Sequence, residues 1–247
     1  YLATRFAEEH SEREGPPLTG VQHHHAHTAA VMAENGIEGR VLGLALDGTG
    51  FGTDGTIWGC EFLDCGLSEF ERVGHLGTVP LPGGDTAIRH PYRVALAHLH
   101  AAGVEDLDAV ARELFPMVPE GERDLVVQQT GKSVGAVPTS SAGRLFDAVS
   151  AIAGVCHEIS YEAQAAIELE SLVGKRLERT YPVELREDAG LVVDPGPIVR
   201  GALEDRRAGV EPEEIAAVFH ATVVVFCAEA AERLAGARGL DAVALSG

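Results

Sequence analysis

A cluster of histidines at the start of a predicted helix is the part of this sequence best suited to chemistry. The stretch GVQHHHAHTAAVMAEN contains four of the eleven histidines, all within the five residues 23–27. Residues four apart on a helix share a face, so His23 and His27 can converge on one metal ion while His24 and His25 point elsewhere. The spacing matches HExxH metal helices, but the glutamate that serves as a protease base is absent. The pattern predicts a metal site that is not a metalloprotease, with a surface histidine cluster as the alternative.

Asp47 is the predicted carboxylate partner of the histidine pair. It closes the apolar run VLGLALD, which has the length of a strand, so its side chain would project from the end of a sheet. Two histidines and one carboxylate with open coordination positions suit iron or zinc. The alternative is an aspartate that starts a turn and bonds only to its own loop.

A glycine-rich stretch, DGTGFGTDG, begins at Asp47. Gly48, Gly50 and Gly52 leave backbone N–H groups accessible, as in turns that bind phosphate, and this makes them candidate nucleotide-binding residues. The signal is weak because glycine-rich hairpin turns are common. The stretch is not a Walker A loop, since no Gly-Lys-Ser/Thr follows.

Alternating helices and strands must position these residues. A helix over 22–35 carries the histidines, and the strands RVLGLALD and TIWGCEFLD form a hairpin around the glycine turn. Residues 1–19 end in a Pro/Gly connector, and Pro91 lies near the start of a later helix. The other predicted elements are a helical region over 104–137, capped helices in TSSAGRLFDAVSAIAG and SYEAQAAIELESLVGKRLE, short strands AGLVVD and DAVALSG, and a long helix from about 211 to 236. This order predicts α/β layers with inserted helices.

Composition narrows the classes of partner. The formal net charge of −19 disfavours nucleic acid, because affinity for phosphate backbones comes mainly from Lys and Arg. No run of 18 apolar residues and no charged-then-apolar leader occur, which predicts a soluble, cytoplasmic chain without a membrane span. The four cysteines lack zinc-site spacing and are predicted to be reduced and buried.

Five motifs in a fixed order carry a family resemblance. VQHHHAH, LALDGTGFGTDGTIWGCEFL, LPGGDTAIRHPYRVAL, TSSAGRLFDAVSAIAG and YEAQAAIELE together resemble the carbamoyl-transfer domain of the HypF family of NiFe-hydrogenase maturation factors. The resemblance covers nearly the whole chain. It implies an α/β fold of ribonuclease-H-like lobes, as in the sugar kinase, Hsp70 and actin superfamily and in TsaD-like proteins. The implied division is a tail and connector over 1–20, a first lobe over 21–137, and a second, incomplete lobe over 138–247.

The resemblance also implies a reaction and a set of partners. HypF-type proteins make carbamoyl adenylate from carbamoyl phosphate and ATP in a companion domain. The domain seen here would then move the carbamoyl group to the C-terminal cysteine of a HypE-type acceptor, in the synthesis of the cyanide ligand of the hydrogenase.

Individual residues receive roles from the same resemblance. His23, His27 and Asp47 match the metal ligands, and a metal ion there would act as a Lewis acid. His24 is a catalytic candidate that would polarise the carbamoyl oxygen or take a proton. The family's ribose-binding acidic positions are matched by Asp147 and Glu168.

The sequence departs from the family pattern at two places, and it leaves several alternative functions undecided. The family has YEG where this chain has Ala163, and its pattern continues beyond LSG with a nucleotide loop and a last metal-ligating aspartate, which predicts weak metal retention and little activity of this chain alone. The alternatives are an O-carbamoyltransferase, a TsaD-like tRNA threonylcarbamoyl transferase, or a non-catalytic metal-binding docking module. The roles of Arg89, Arg93 and His220 are also undecided: phosphate contacts or a helix surface for the arginines, core packing or catalysis for the histidine.

Overall fold

The structure is a computed structural model that describes residues 2–132, 135–174 and 178–247. The helices in these residues are α1 (Leu2–Glu14), α2 (His23–Glu34), α3 (Asp85–Arg89), α4 (Pro91–Ala101), α5 (Leu107–Leu114), α6 (Glu120–Lys132), α7 (Ala142–Ala153), α8 (Gln164–Ser171), α9 (Gly196–Arg207) and α10 (Pro212–Arg238). The strands are β1 (Val41–Phe51), β2 (Ile57–Cys65), β3 (Phe70–Leu76), β4 (Val79–Leu81), β5 (Val137–Thr139), β6 (Glu184–Glu187), β7 (Leu191–Asp194) and β8 (Val243–Ser246).

These strands form one mixed sheet. At its centre β1, β2 and β3 are antiparallel neighbours, and β8 adds to the other edge of β1 in parallel. On the far side β7 pairs with β3 in parallel and forms a hairpin with β6. The short antiparallel pair β4 and β5 joins β2 at Ile57. The predicted hairpin around the glycine turn is therefore confirmed.

Helices cover both faces of the sheet because successive residues of β1 point to opposite sides. Leu42 and Leu44 belong to the large core that the sheet forms with α4, α7, α9 and α10. Val41 packs on the other face in a smaller cluster with Met32 of α2. A strand buried on both faces is expected to be continuously apolar, as the run VLGLAL is.

Helix α2 lies unusually close to β1 at one point. A Cβ atom added to Gly43 would lie 2.5 Å from Oγ1 of Thr28, so only glycine allows this approach. The Thr28 hydroxyl in turn donates to the carbonyl of His24, one turn earlier in the same helix. This contact fixes the histidine end of α2 over the strand that leads to Asp47.

Two stretches differ from the sequence prediction. The single helix predicted around Pro91 is two helices, because Pro91 has no N–H to continue a helix and His90 before it takes a non-helical conformation (φ −126°, ψ 83°). Residues predicted only as tail and connector form α1, and the connector begins at Gly15, where φ is +77°.

The predicted boundary between two lobes falls within one sheet. β1 to β4 and the start of β5 lie before residue 138, whereas β6, β7 and β8 lie after it and pair with β1 and β3. The division at residue 138 stays a prediction.

Helix α10 is long and apolar enough to cross a membrane by length and composition alone. Half of its most apolar window is buried inside the fold, where Phe219 and Phe226 belong to the large core. Core helices of globular proteins pass the same test, so this feature is weak evidence for a membrane span.

The cysteines are all free. Cys60, Cys65 and Cys156 are buried, in agreement with the prediction, and Cys227 is half-buried. Burial raises the pKa of the Cys65 thiol to about 11 and that of Cys227 to about 12, so both are protonated at neutral pH.

Candidate metal and nucleotide site

The start of α2 brings the two predicted histidine ligands together. Gln22 is the N-cap, and its side-chain oxygen accepts a hydrogen bond from the His25 backbone N–H at 2.8 Å. One turn apart on the same face, His23 and His27 place their Nε2 atoms 3.2 Å from each other. The i, i+4 geometry predicted from the sequence is therefore present.

Asp47 reaches this pair from a break in β1. The pairing of β1 with β2 shifts register between Leu46 and Gly50, so the residues between them leave the ladder. Such bulges re-aim side chains next to functional sites. Oδ2 of Asp47 lies 2.9 Å from Nε2 of His23, while Oδ1 accepts the backbone N–H of Gly48.

The three side chains fit a metal ion as a donor set. One ligand atom from each of His23, His27 and Asp47 lies within 4.8 Å of the others. Zinc bonds of about 2.0–2.2 Å in a tetrahedral site need ligand atoms separated by roughly 3.3–3.6 Å, which small side-chain shifts would provide. The Ser246 hydroxyl lies 3.3 Å from Nδ1 of His27, and such a contact on the second ring nitrogen leaves Nε2 free to bind metal.

His24 is wholly buried between this cluster and the hairpin. Its Nδ1 accepts a hydrogen bond from the Gln22 side-chain amide at 3.1 Å, so its proton resides on Nε2. Nε2 lies 3.9 Å from Oδ2 of Asp47 and has no hydrogen-bond partner among the described residues. Burial lowers the pKa of His24 to about 4, which keeps the ring neutral. A neutral ring with its proton on Nε2 can donate a hydrogen bond from that atom but cannot accept a proton there.

The other histidine of the cluster has a structural role. His25 places Nε2 2.9 Å from the carbonyl oxygen of Gly66 and stacks on the ring of Phe70, with 5.0 Å between ring centroids. These contacts hold α2 against the turn between β2 and β3.

Gly50 is required by the close approach of the hairpin to His24. A Cβ atom there would lie 2.2 Å from Cε1 of His24, a buried ring that cannot move away. We expect Gly50→Ala to displace His24 and destabilise the fold by about 1–3 kcal/mol, as overpacking does. Denaturant unfolding measures this loss. Gly55→Ala is a poor control because φ is +80° there, whereas Gly20→Ala meets nothing within 4 Å and should be neutral.

A cavity of about 580 Å³ opens beside Asp47, within the range of roughly 300–1,000 Å³ typical of small-molecule sites. Its lining combines apolar side chains with a few polar groups: Leu46, Asp47, Gly48, Thr49, Ile88, Ala142, Gly143, Arg144, Phe146, Asp147, Ile159, Glu162, Ala163, Ala166, Val223 and Gly247. This composition suits a nucleotide, which has an aromatic base and polar ribose and phosphate groups.

The predicted nucleotide-binding residues are distributed unevenly around this cavity. Gly48 and Asp147 line it. Gly50 instead lies against His24, and Gly52 lies against the Trp58 ring. Glu168 is outside the lining, where its carboxylate accepts a hydrogen bond from Gln164 at 2.7 Å. The ribose and phosphate roles of these residues stay predictions.

The N-terminus of α7 closes one side of the cavity. Ser141 caps the helix by accepting the Arg144 N–H, and its hydroxyl lies within 2.7 Å of the Gly48 carbonyl oxygen. A Cβ atom on Gly143 would lie 2.8 Å from Cα of Gly48, so glycine is needed where the helix meets the hairpin. The contact joins the helix terminus to the backbone beside Asp47.

Arg144 is a cavity residue that the sequence reasoning missed. It is buried, and its Nη2 lies 3.1 Å from Oδ2 of Asp147, three residues later on the same helix. Burial raises the pKa of Asp147 to about 6, and the Arg144 charge opposes this shift. The signal was available, because two opposite charges three residues apart sit on the otherwise apolar face of GRLFDAVS.

A buried ion-pair network holds the hairpin next to the site. Glu61 of β2 is fully buried, and its Oε2 accepts a hydrogen bond from Nε of Arg72 at 2.6 Å. Arg72 also reaches Asp54 at the hairpin tip and the Ser140 hydroxyl just before α7, and its guanidinium lies 4.3 Å above the Trp58 ring. One side chain therefore connects β2, β3, the glycine turn and the start of α7.

Arg89, Arg93 and His220, whose roles the sequence left undecided, all lie outside the lining of the nucleotide-sized cavity. Arg93 is buried and bonds to Glu122 at 3.2 Å, away from the cavity lining. Arg89 is exposed at a neighbouring groove. Nδ1 of His220 bonds to the carbonyl oxygen of Ala216, and the ring packs against Phe146. This position agrees with the alternative of core packing and not with catalysis.

Ala163 occupies a conformation that favours glycine. Its φ is +61°, in the left-handed region, which costs an alanine roughly 1–2 kcal/mol. The residue also lines the cavity. Ala163 therefore combines backbone strain with a methyl group at the cavity wall.

Structural comparison defines the class of this domain. An α/β domain in which two histidines and an aspartate meet beside a nucleotide-sized cavity matches two solved HypF structures. The first is a full-length HypF in a phosphate- and nucleotide-bound form, with a TM-score of 0.90 and 40% identity over 100% of this chain and 38% of that chain. The second is the HypF of T. kodakarensis, with a TM-score of 0.87 and 34% identity over 100% of this chain and 33% of that chain. The predicted fold class is confirmed.

Sequence comparison then gives the family. Residues 43–247 match the family model described as "Carbamoyltransferase, Kae1-like Domain, second subdomain", and residues 1–34 match "HypF Kae1-like domain". The chain belongs to the HypF family of carbamoyltransferases and contains its Kae1-like domain. The resemblance found in the motifs is confirmed.

Curated relatives show how much of a HypF protein the chain represents. It is 43% identical to carbamoyltransferase HypF of Rhodobacter capsulatus, over 100% of this chain and 32% of that protein. It is 44% identical to the HypF of Rhizobium leguminosarum bv. viciae, over 94% of this chain and 29% of that protein. The chain thus spans about a third of the length of these relatives.

Proposed function

We propose that this chain is the carbamoyl-transfer domain of a HypF-type protein. It would bind carbamoyl adenylate, made from carbamoyl phosphate and ATP, and pass the carbamoyl group to the C-terminal cysteine of a HypE-type acceptor during cyanide-ligand synthesis. One observation carries the proposal: the His23, His27 and Asp47 cluster lies between two cavities. Asp47 lines the nucleotide-sized cavity, His23 lines a second, open cavity of about 880 Å³, and Thr49 lines both.

A cluster between two cavities suits the transfer of a group between two substrates. The adenylate would occupy the first cavity, with its base among Phe146, Ile159 and Val223. The acceptor thiol would enter from the open cavity, whose rim includes the exposed side chains of Val21 and Phe51. The carbonyl carbon would then lie at the cluster, within reach of both.

The reaction replaces one bond to the carbonyl carbon by another. The acceptor thiol loses its proton to solvent in the open cavity and its sulfur forms a C–S bond, while the C–O bond to the phosphate breaks and AMP leaves with the electron pair. A zinc or iron ion held by His23, His27 and Asp47 would supply Lewis-acid polarisation of the carbonyl group. Gln22 would hold His24 in the tautomer that carries its proton on Nε2, 3.9 Å from Oδ2 of Asp47 and available to donate to the carbamoyl oxygen.

The four free cysteines support a reducing compartment for this reaction. A cytoplasmic location, a HypE-type acceptor and the use of ATP and carbamoyl phosphate are parts of the proposal that follow from the family. The acceptor would be recognised as a protein with a free C-terminal thiol.

A chimera tests the proposed transfer. This chain would replace the matching segment of the Rhodobacter capsulatus relative, which aligns over all of it. With carbamoyl phosphate, ATP and a HypE-type acceptor, we expect the acceptor to gain the mass of one carbamoyl group at its C-terminal cysteine. In the chimera carrying His23→Ala and His27→Ala, the rate of carbamoyl transfer should fall by a factor on the order of 100 or more. The reason is that several kcal/mol of transition-state stabilisation by the metal ion is lost.

The control is the chimera carrying His100→Ala, which alters an exposed histidine of α4 and should transfer normally. The proposal fails if the unaltered chimera folds and consumes ATP but leaves the acceptor unmodified. It also fails if the double variant transfers at the unaltered rate.

A further inference from the structure

A separate, smaller cavity lies where β3 and β7 end. Its volume is about 290 Å³, close to the lower limit of roughly 300 Å³ for small-molecule sites. Residues 77–79 after β3, the end of α4, the turn between β6 and β7 and the start of α9 form its walls. It shares none of its described lining residues with the nucleotide-sized cavity or with the open cavity beside His23.

His98 of α4 contributes a buried hydrogen-bond acceptor to this cavity. The residue is only 3% exposed, and it is part of the lining. Its Nδ1 lies 2.9 Å from the carbonyl oxygen of Val94, and because a carbonyl oxygen can only accept, Nδ1 carries the proton. Nε2 is left as an acceptor to which no described residue donates. Burial lowers the pKa of His98 to about 4, so the ring is neutral at physiological pH.

The charged groups of the lining favour a cation. They are two carboxylates and one guanidinium, from Asp188, Asp194 and Arg186. Nη2 of Arg186 lies 2.9 Å from Oδ2 of Asp194, so these two charges offset each other. Asp188 is exposed and forms no ion pair with a described residue. Arg200 of α9 lies outside the lining, where it donates to the carbonyl oxygen of Ala102 at 2.7 Å. The excess charge of the lining is therefore negative, as is the overall charge of −19.

The start of α9 offers little to an anion. Helix N-termini bind anions through backbone N–H groups that have no partner. Here Oδ1 of Asp194 accepts the N–H of Gly196 at 2.8 Å, and Pro195 and Pro197 have no N–H to donate. The helix terminus therefore does not reverse the preference for a cation.

The polar groups are too widely spaced to hold a metal ion. In the part of the chain that the structure describes, ligand atoms from three such residues meet within 4.8 Å only in the histidine cluster of α2. The other walls of the smaller cavity include the apolar side chains of Val79, Val192 and Pro195. This combination suits an organic cation that has N–H donors and a short aliphatic chain.

We infer that this cavity binds a small aliphatic amine as its ammonium ion. The ammonium group donates a hydrogen bond to Nε2 of His98, and its chain packs against Val79, Val192 and Pro195. The carboxylates of Asp188 and Asp194 attract its positive charge. This ligand site is separate from the proposed carbamoyl transfer, and neither depends on the other.

Calorimetric titration of the 247-residue chain with butylammonium and with butyltrimethylammonium tests this site. The two ions have the same charge, but the second has no N–H to donate. At physiological ionic strength we expect butylammonium to bind roughly 10-fold more tightly, the effect of about one hydrogen bond. His98→Leu removes the acceptor and should abolish this preference.

A matched pair of exposed acidic residues tests the contribution of charge. Asp188→Asn should weaken butylammonium binding several-fold, because the carboxylate without an ion-pair partner is lost. Glu187→Gln removes the same charge from the neighbouring exposed residue, which is outside the lining, and should leave the affinity unchanged. Equal effects of the two substitutions contradict the inferred site.

The inference is overturned if both ions bind equally, because charge alone then explains the affinity. It is also overturned if neither ion binds, or if folded His98→Leu keeps the preference. If His98→Leu does not fold, ¹⁵N NMR of the unaltered chain decides the question. Saturation with butylammonium should move the Nε2 signal of His98 upfield while the exposed ring of His100 is unaffected. An unmoved His98 signal at saturation contradicts the inference.

Discussion

Replacing His23 and His27 with alanine is expected to reduce the zinc or iron bound by the chain, itself expected to be weakly held, to background, because two of the three proposed ligands are lost. The chain is incubated with the metal, dialysed and assayed by elemental analysis. Both side chains are at least partly exposed, so the variant should keep the fold. The loss would show that the ligand atoms that meet within 4.8 Å are a binding site.

Two controls accompany this measurement. His100→Ala removes an exposed histidine from a different helix and should leave the metal content unchanged. Ser246→Ala removes only the contact to Nδ1 of His27 and should weaken metal binding roughly 10-fold, the lower end for groups that orient a ligand. Equal metal content in the double variant and the unaltered chain would contradict the assigned ligands.

Arg72→Met is expected to cost about 3 kcal/mol in the free energy of unfolding. The substitution leaves the Glu61 carboxylate fully buried without its cation, and breaking one side of a buried ion pair typically has this effect. The Ser140 hydroxyl and the Gly59 N–H still bond to Glu61, which keeps the expected loss at the lower end of the range. Urea unfolding followed by circular dichroism measures it.

The matched control is Arg112→Met. Arg112 pairs with Asp108 on the exposed side of α5, with both side chains about half exposed, and such surface pairs contribute only about 0.3–0.5 kcal/mol. The prediction is contradicted if the two variants lose equal stability. A loss confined to Arg72→Met would confirm that this network holds the hairpin beside the site.

Local sequence patterns were sufficient to predict that His23, His27 and Asp47 lie together, and their role as metal ligands stays a prediction. The i, i+4 spacing fixed the shared face of His23 and His27, and the end of an apolar run located Asp47. The sequence does not show that β1 changes register after Leu46, and this shift aims the carboxylate at the histidines. The sequence therefore predicts that two histidines and an aspartate could meet. The distances between them depend on how β1 pairs with β2.

Roles that depend on distant contacts were not predictable. Arg144 faces the cavity because α7 packs against the hairpin at Gly48 and Gly143, nearly 100 residues apart in sequence. Ser246 reaches His27 only because β8 pairs with β1. Burial of His24 likewise depends on the close approach of Gly50, and the choice between polarising the carbamoyl oxygen and taking a proton stays a prediction.

The close association of the metal cluster and the nucleotide phosphate is the central claim, and one measurement tests it directly. Paramagnetic Co²⁺ is bound to the chain as a substitute for zinc or iron, and the ³¹P relaxation of AMP is recorded by NMR. If the phosphate lies beside Asp47, Co²⁺ should strongly accelerate its relaxation in the unaltered chain and have no specific effect in the His23→Ala and His27→Ala variant. If AMP binds to the Co²⁺-loaded chain as tightly as to the metal-free chain but its ³¹P relaxation is not accelerated, the proposed proximity of the phosphate to the metal cluster is wrong.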